Sequence, residues 1–439
     1  MGGTLPPGDR RREADGPHGV RRPPGPRERR RRHRRRRDAR RPVLDRRRAD
    51  DGRQQPRLQR VRSARRHRGR RLPVHRLGDR TRDGQPDARP PHRRRLGGPR
   101  LREPRLPTGR GTWNNCFGTV SPWNTPLSSE EYEPDAKAWF EPDEQTYGNR
   151  EATMADYLGY FGNAYRYGYV VEITEPFAES PTPEKRFAMG RFSHENAVVM
   201  PDNKTVYMSD DGTGVVLGKF VADRARDLSS GTLYAASLTQ DDGTDPASVG
   251  FDVEWVELGH ATDAEVESWV AEYDGQDPSD DYDPDYITDE EVEAWANGNN
   301  PYDDQRIPFL ETRKAAGALG ATDEFRKMEG VNVRPNAHVG DYVYVAMSEI
   351  NESMLANEDA PESDPEDDIR LERNDYGALY RMPIEGGFDV RRIEPAVVGS
   401  EDSFWQLDNV VVMDDGRVIV GEDSDHETNQ LWVYDPADN

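Results

Sequence analysis

From residue 167 onward, short runs of apolar residues are separated by polar turn chemistry. The runs YGYVVEI, AVVMPDNKTVYMSDD, GVVLGKFV, GTLYAASL, DYVYVAMSEI, GALYRMPI, NVVVMDDGRVIVGED and QLWVYDP carry apolar or β-branched residues at strand spacing. Pro201, Asp202 and Asn203 in one run, and Asp414, Asp415 and Gly416 in another, are hairpin-turn residues. The pattern predicts an all-β chain. Its hairpins recur without a fixed sequence period, which fits a β-propeller with irregular blades better than a solenoid; a β-sandwich is the alternative.

One stretch, residues 260–328, breaks the strand pattern. Thr262 and Thr288 each precede a helical run with Glu265 and Glu291 three positions on, so both read as capping boxes. The acidic loop between them could be an EF-hand. Aligned on Ile287 and Glu291, however, that loop puts Tyr282 and Pro284 at oxygen-ligand positions and Asp285 at the glycine turn, so it reads as a solvated insertion. A third helix is predicted in FLETRKAAGALGATDEFRKMEG, ending near Gly317 or Gly320.

Charge divides the chain in two. Residues 1–110 hold 39 of the 61 basic residues, all arginine, and 12 of the 83 acidic ones, with no Phe, Trp or Tyr. Without aromatic residues and with few aliphatic ones, that segment is expected to stay disordered. Its arginine blocks could bind phosphate backbones or act as a nuclear localisation signal. The absence of Lys, Ile and Asn favours a GC-rich gene read out of frame. Residues 111–439 keep 22 basic and 71 acidic residues, a balance that argues against nucleic acid as a partner and suits a halophile's solvated surface. No apolar run is long enough for a helical membrane span, and the single cysteine, Cys116, excludes an internal disulfide.

The candidate chemistry is carboxylate. In GRFSHENAVV and VYMSDDGTG, Glu195, Asp210 and Asp211 stand at strand ends, where oxygen ligands can converge on a hard cation. Glu130, Glu131, Glu329, Asp408, Glu422 and Asp423 occupy similar positions. In so acidic a chain, any one of them read alone is a solvated or turn-forming residue. His194 is either a hydrogen-bond partner of Glu195 or a packed strand residue.

Eight motifs in order, NNCFGTVSPWNTPLSSEEYEP, YGYVVEI, GRFSHENAVV, VYMSDDG, SSGTLYAASL, TRKAAGALGATDEFRKMEGV, YGALYRM and LDNVVVMDDGRVIVGED, resemble the PhoX-type alkaline phosphatases from Gly111 to the carboxyl end. The resemblance implies a β-propeller, exported by the twin-arginine route, that hydrolyses phosphate esters with iron and calcium at its channel. It places Glu195, Asp210, Glu329 and Asp408 at metal-binding positions, and Lys327 or Arg326 at a phosphate-contacting arginine. Glu130, Asp211 and Glu422 complete the candidate metal set. Ser129 stands where the resemblance expects an iron-bridging cysteine, which favours calcium over iron, because serine is a poor soft-metal ligand. Cys116 reads as a buried small side chain. The text ends before the region in which the family supplies a further acidic ligand and closes the propeller, so an incomplete, truncated or frame-disrupted copy is expected.

The expected function is therefore metal-dependent hydrolysis of phosphate monoesters, impaired in this copy, with a small phosphate ester as partner. The alternatives are a non-catalytic calcium-binding propeller and a calcium-dependent lactonase.

Overall fold

The computed structural model describes residues 59–60, 111–140, 150–276, 285–299, 305–355, 367–424 and 428–438, all within the unit Gln54–Asn439. Of the arginine-rich segment expected to be disordered, Gln59 and Arg60 are described, and there they pair as a short strand with Val433 and Trp432; the rest of that expectation, and residues 277–284 of the acidic loop, lie outside the described residues.

The strands, in chain order, are β1 (Gln59–Arg60), β2 (Asn115–Val120), β3 (Pro126–Glu130), β4 (Val170–Thr174), β5 (Thr182–Lys185), β6 (His194–Val199), β7 (Thr205–Asp210), β8 (Thr213–Val215), β9 (Gly218–Arg224), β10 (Asp227–Gln240), β11 (Phe251–Thr262), β12 (Phe325–Arg326), β13 (Met328–Val333), β14 (Tyr342–Met347), β15 (Ala378–Pro383), β16 (Arg392–Val398), β17 (Leu407–Val412), β18 (Val418–Glu422) and β19 (Leu431–Tyr434). They form four antiparallel meanders: β2 to β5; β6, β7, β9, β10 and β11; β13 to β16; and β17 to β19 with β1 beside β19. The second and third join edge to edge where Phe251 pairs with Ile393, and β8 with β12 makes a short ribbon. These are the blades of a β-propeller.

Among the described residues, three apolar cores separate successive blades, and period-two alternation assigns each side chain to one of them. In β14, Val343, Val345 and Met347 enter the core between the second and third blades, while Tyr344 and Ala346 enter the core between the third and fourth. In β7, Val206 and Met208 face the first blade and Tyr207 faces the third. Strands buried on both faces need no polar positions, which is why these runs read as continuous apolar stretches. The sequence pattern missed β1, β2, β3, β5, β11, β12, β13 and β16.

Both capping boxes form: Thr262 caps the helix Asp263–Glu272 and Thr288 caps Asp289–Ala296, each with its glutamate bonding back. The third helix is two, Ile307–Leu310 and Thr312–Ala318, because Glu311 between them is non-helical (φ −125°, ψ 55°). The rest of the stretch predicted helical turns into β12 and β13. These helices pack on the core shared by the first two blades, through Val266, Val270, Phe309 and Ala315. No helix among the described residues is long and apolar enough to cross a membrane.

Candidate metal centre

Every blade opens with the same irregular hairpin. Asn115 pairs with Glu130, His194 with Asp210, Met328 with Met347 and Leu407 with Glu422, and in each case the ladder then resumes one register out of step. Two residues on the first strand thus face one on the second, a β-bulge. The first bulged residue is Cys116, Glu195, Glu329 or Asp408. A bulge frees its side chain from the pleat, and the four bulges turn four such chains toward one another. Opposite them stand Ser129, Ser209, Ala346 and Gly421, small residues that let the bulged backbone close in. Ser129 is therefore a buried strand residue (1% exposed) facing the bulge that carries Cys116.

The second strand of each hairpin continues the pattern. Its last paired residue turns into the framework, and the next residue, whose N–H bonds the carbonyl of Asn114, Ser193, Lys327 or Gln406 at 3.0–3.1 Å, faces the site. These pairs are Glu130 and Glu131, Asp210 and Asp211, Met347 and Ser348, and Glu422 and Asp423. Glu130 is fully buried, takes N–H bonds from Trp113, Gly168 and Tyr169, and pairs with Lys185 at 2.9 Å. Asp210 is fully buried in a two-pronged pair with Arg313. Glu422 accepts from Trp405 N, Trp432 Nε1 and Gln430 N. The structure does not bring Glu130, Asp210 or Glu422 into the carboxylate group; each has its oxygens committed to the scaffold.

Two clusters with metal-ligand spacing emerge among the described residues, sharing Glu195. Donor atoms of Cys116, Glu131 and Glu195 lie within 4.8 Å of one another, as do those of Glu195, Glu329 and Asp408. The reading of Cys116 as a buried small side chain fails: the residue is exposed, and its Sγ lies 3.1 Å from Glu195 Oε1. A sequence signal existed for this position. Cys116, Glu195, Glu329 and Asp408 each precede a valine by four residues (Val120, Val199, Val333 and Val412), a blade repeat hidden by unequal loops.

The clusters are electrostatically unfinished. Burial, then Glu329, raises the Glu195 carboxyl to about 9. Burial, then Asp211, raises Glu329 to about 8 despite Lys327. Burial, then Asp423, raises Asp408 to about 6. The Cys116 thiol is likewise pushed up, because its sulfur is partly shielded from water although the residue is exposed, and then by Glu195. Carboxylates crowded like this share protons or a cation. With its thiol and oxygen donors converging, the site fits metal ions.

Lys327 leans over this ring. Its Nζ donates to Glu329 Oε1 at 3.2 Å and Asp211 Oδ1 at 3.4 Å, and although burial opposes its charge, these two acids hold its proton more tightly than usual. Its backbone is left-handed (φ 46°), as at the equivalent Asn114 (49°) and Gln406 (46°). Three non-glycine residues held in that region at one blade position mark imposed geometry. Arg326 points elsewhere, to Glu349 and Asn351 at 3.0 Å. His194 is a packed strand residue: it lies against Phe192 (3.6 Å between ring centres), its Nε2 contacts Gly190 O, and burial lowers it to about 3.

The chain matches the family model described as alkaline phosphatase PhoX over residues 59–437, a span that starts upstream of the compositional boundary at Gly111. No curated protein matches it. Among solved structures it is similar to Pseudomonas fluorescens PhoX in complex with vanadate, a transition state analogue, with 22% identity, a TM-score of 0.52 and 74% of this chain covered. The chain spans 59% of the length of that structure. At this identity the likeness speaks for the fold.

Proposed function

Because the chain belongs to the alkaline phosphatase PhoX family, we propose that it hydrolyses phosphate monoesters at the channel ring of Cys116, Glu131, Glu195, Glu329 and Asp408. The observation that carries this reading is the meeting of a thiol and four carboxylates, presented by all four blades, beside a lysine held in left-handed backbone.

The two clusters differ in chemistry. Cys116 with Glu131 and Glu195 offers sulfur and oxygen, suited to iron; Glu195 with Glu329 and Asp408 offers oxygen alone, suited to calcium. The case against iron rested on Ser129, and Cys116 supplies the thiol from a different strand. Bound cations would contribute positive charge for the phosphoryl oxygens and for activating the attacking oxygen.

The chain's own part is orientation. Lys327, a mobile point charge rather than an arginine fork, meets a phosphoryl oxygen and exchanges its bond to Glu329 or Asp211 for it. Glu195 sits in both clusters and fixes their separation. Cys116 is exposed, so the site is open to solvent at that residue.

The test is metal analysis of the full chain after dialysis against iron and calcium in concentrated salt, with a p-nitrophenyl phosphate assay. Both metals and turnover are expected. Lys327→Met should lower kcat about a hundredfold, the usual scale for one lost transition-state donor, with metal content unchanged. Calcium binding without turnover would replace this reading with a non-catalytic calcium-binding module.

A further inference from the structure

Arg313 lies outside the metal clusters, on the short helix Thr312–Ala318 of the insertion. Its guanidinium nonetheless grips two consecutive residues of the second blade. Nε donates to Asp210 Oδ2 at 2.8 Å, and Nη2 donates both to Asp210 Oδ1 and, at 3.0 Å, to the backbone carbonyl of Asp211. It also lies 3.5 Å from Glu133, two residues beyond Glu131. A planar fork that bonds a side chain and the following carbonyl together fixes the peptide between them. The Asp211 carboxylate is thereby aimed, and it is one of the two acids that hold Lys327.

We infer that Arg313 is a positioning residue: it sets the direction of Asp211, and through Asp211 the place of the Lys327 ammonium over the site. This rests on Lys327 being the phosphate contact, but the device itself is independent of turnover. Gly212 supports it, because it turns the chain at φ 144°, a backbone shape few other residues adopt, and an added Cβ there would stand 3.0 Å from Val215 and 3.6 Å from Arg313 Nη2.

Arg313→Lys keeps the charge facing Asp210 and removes the fork. The measurement is the rate at which acetic anhydride acetylates Lys327 in the metal-loaded full chain, followed by peptide mass spectrometry, with Lys204 at a distant hairpin as reference. A rise of about tenfold at Lys327 alone is expected, the scale of one lost charge-assisted hydrogen bond. In an Asp211→Asn background, where the link is already cut, Arg313→Lys should add nothing.

An unchanged Lys327 rate, or the same acceleration in both backgrounds, overturns the inference. If Arg313→Lys does not fold, Asp210→Asn loosens the same grip and is read the same way. A wild-type chain that hydrolyses no phosphate ester would overturn the proposed function and leave these rates to decide the positioning role.

Discussion

At the residue scale, adjacent acids in one strand end have opposite duties, and pleat alternation decides which. Glu130 and Glu131 are the clearest pair, since one is sealed among backbone donors and Lys185 while the other enters the metal cluster. Glu130→Gln should destabilise the fold by about 3–5 kcal/mol, the cost of stranding a buried cation, and leave metal affinity of the folded fraction intact. Glu131→Gln should do the reverse, with metal affinity falling and the denaturation midpoint of the metal-free chain hardly moving. Titration calorimetry beside urea unfolding separates the two. The raised carboxyls give a pH dependence as well. Between the ordinary carboxylate range and about 9, the metal-free folded state holds protons on Glu195 and Glu329 that the unfolded chain has released. Its stability therefore falls as pH rises through that window. Metal binding displaces those protons, so melting curves from pH 5 to 9 should slope downward for the chelated chain and flatten once metal is added.

At the element scale, the bulge is the functional unit. It occurs at one register position in every blade, and neighbouring first strands are stitched where it lies. Asn196 Nδ2 donates to Val331 O at 2.9 Å while its Oδ1 accepts from Val331 N, and Asn332 Oδ1 accepts from Val412 N. Gly330 is where two bulges touch: a Cβ there would stand 2.9 Å from Asp408 O and 3.0 Å from Val410 N, both backbone atoms that cannot rotate away. Gly330→Ala should cost about 1–3 kcal/mol from overpacking and weaken calcium binding by displacing Asp408. A loss of stability with unchanged calcium affinity would show that the bulges do not set the ligand positions. Of these elements, the hairpins from β6 to β7 and from β17 to β18, and both capped helices, were legible in the sequence, because their signals are local. The bulges were not, because a bulge is a relation between two strands.

At the scale of the whole molecule, net charge sets the working conditions. With 83 acidic residues against 61 basic ones, and the basic excess confined to residues 1–110, the folded blades carry a large negative charge that only salt can screen. The melting temperature should climb steadily from dilute buffer to about 2 M KCl as screening shortens the Debye length; a flat or falling curve would remove the halophile reading. The sequence by itself determined the all-β plan, the helical insertion and the family, since short apolar runs with turn residues, capping boxes and ordered motifs are written in neighbouring residues. It also marked Glu195, Asp211, Glu329, Asp408 and Lys327 as candidates, all of which the fold gathers at one channel. Only the tertiary structure decided that Glu131 belongs there and Glu130 does not, that Asp210 faces Arg313, and that the single thiol, Cys116, lies against Glu195 instead of being packed away. The physical reason is that a one-residue register shift reverses the face a side chain occupies, and register is fixed by pairing with strands far away in the chain.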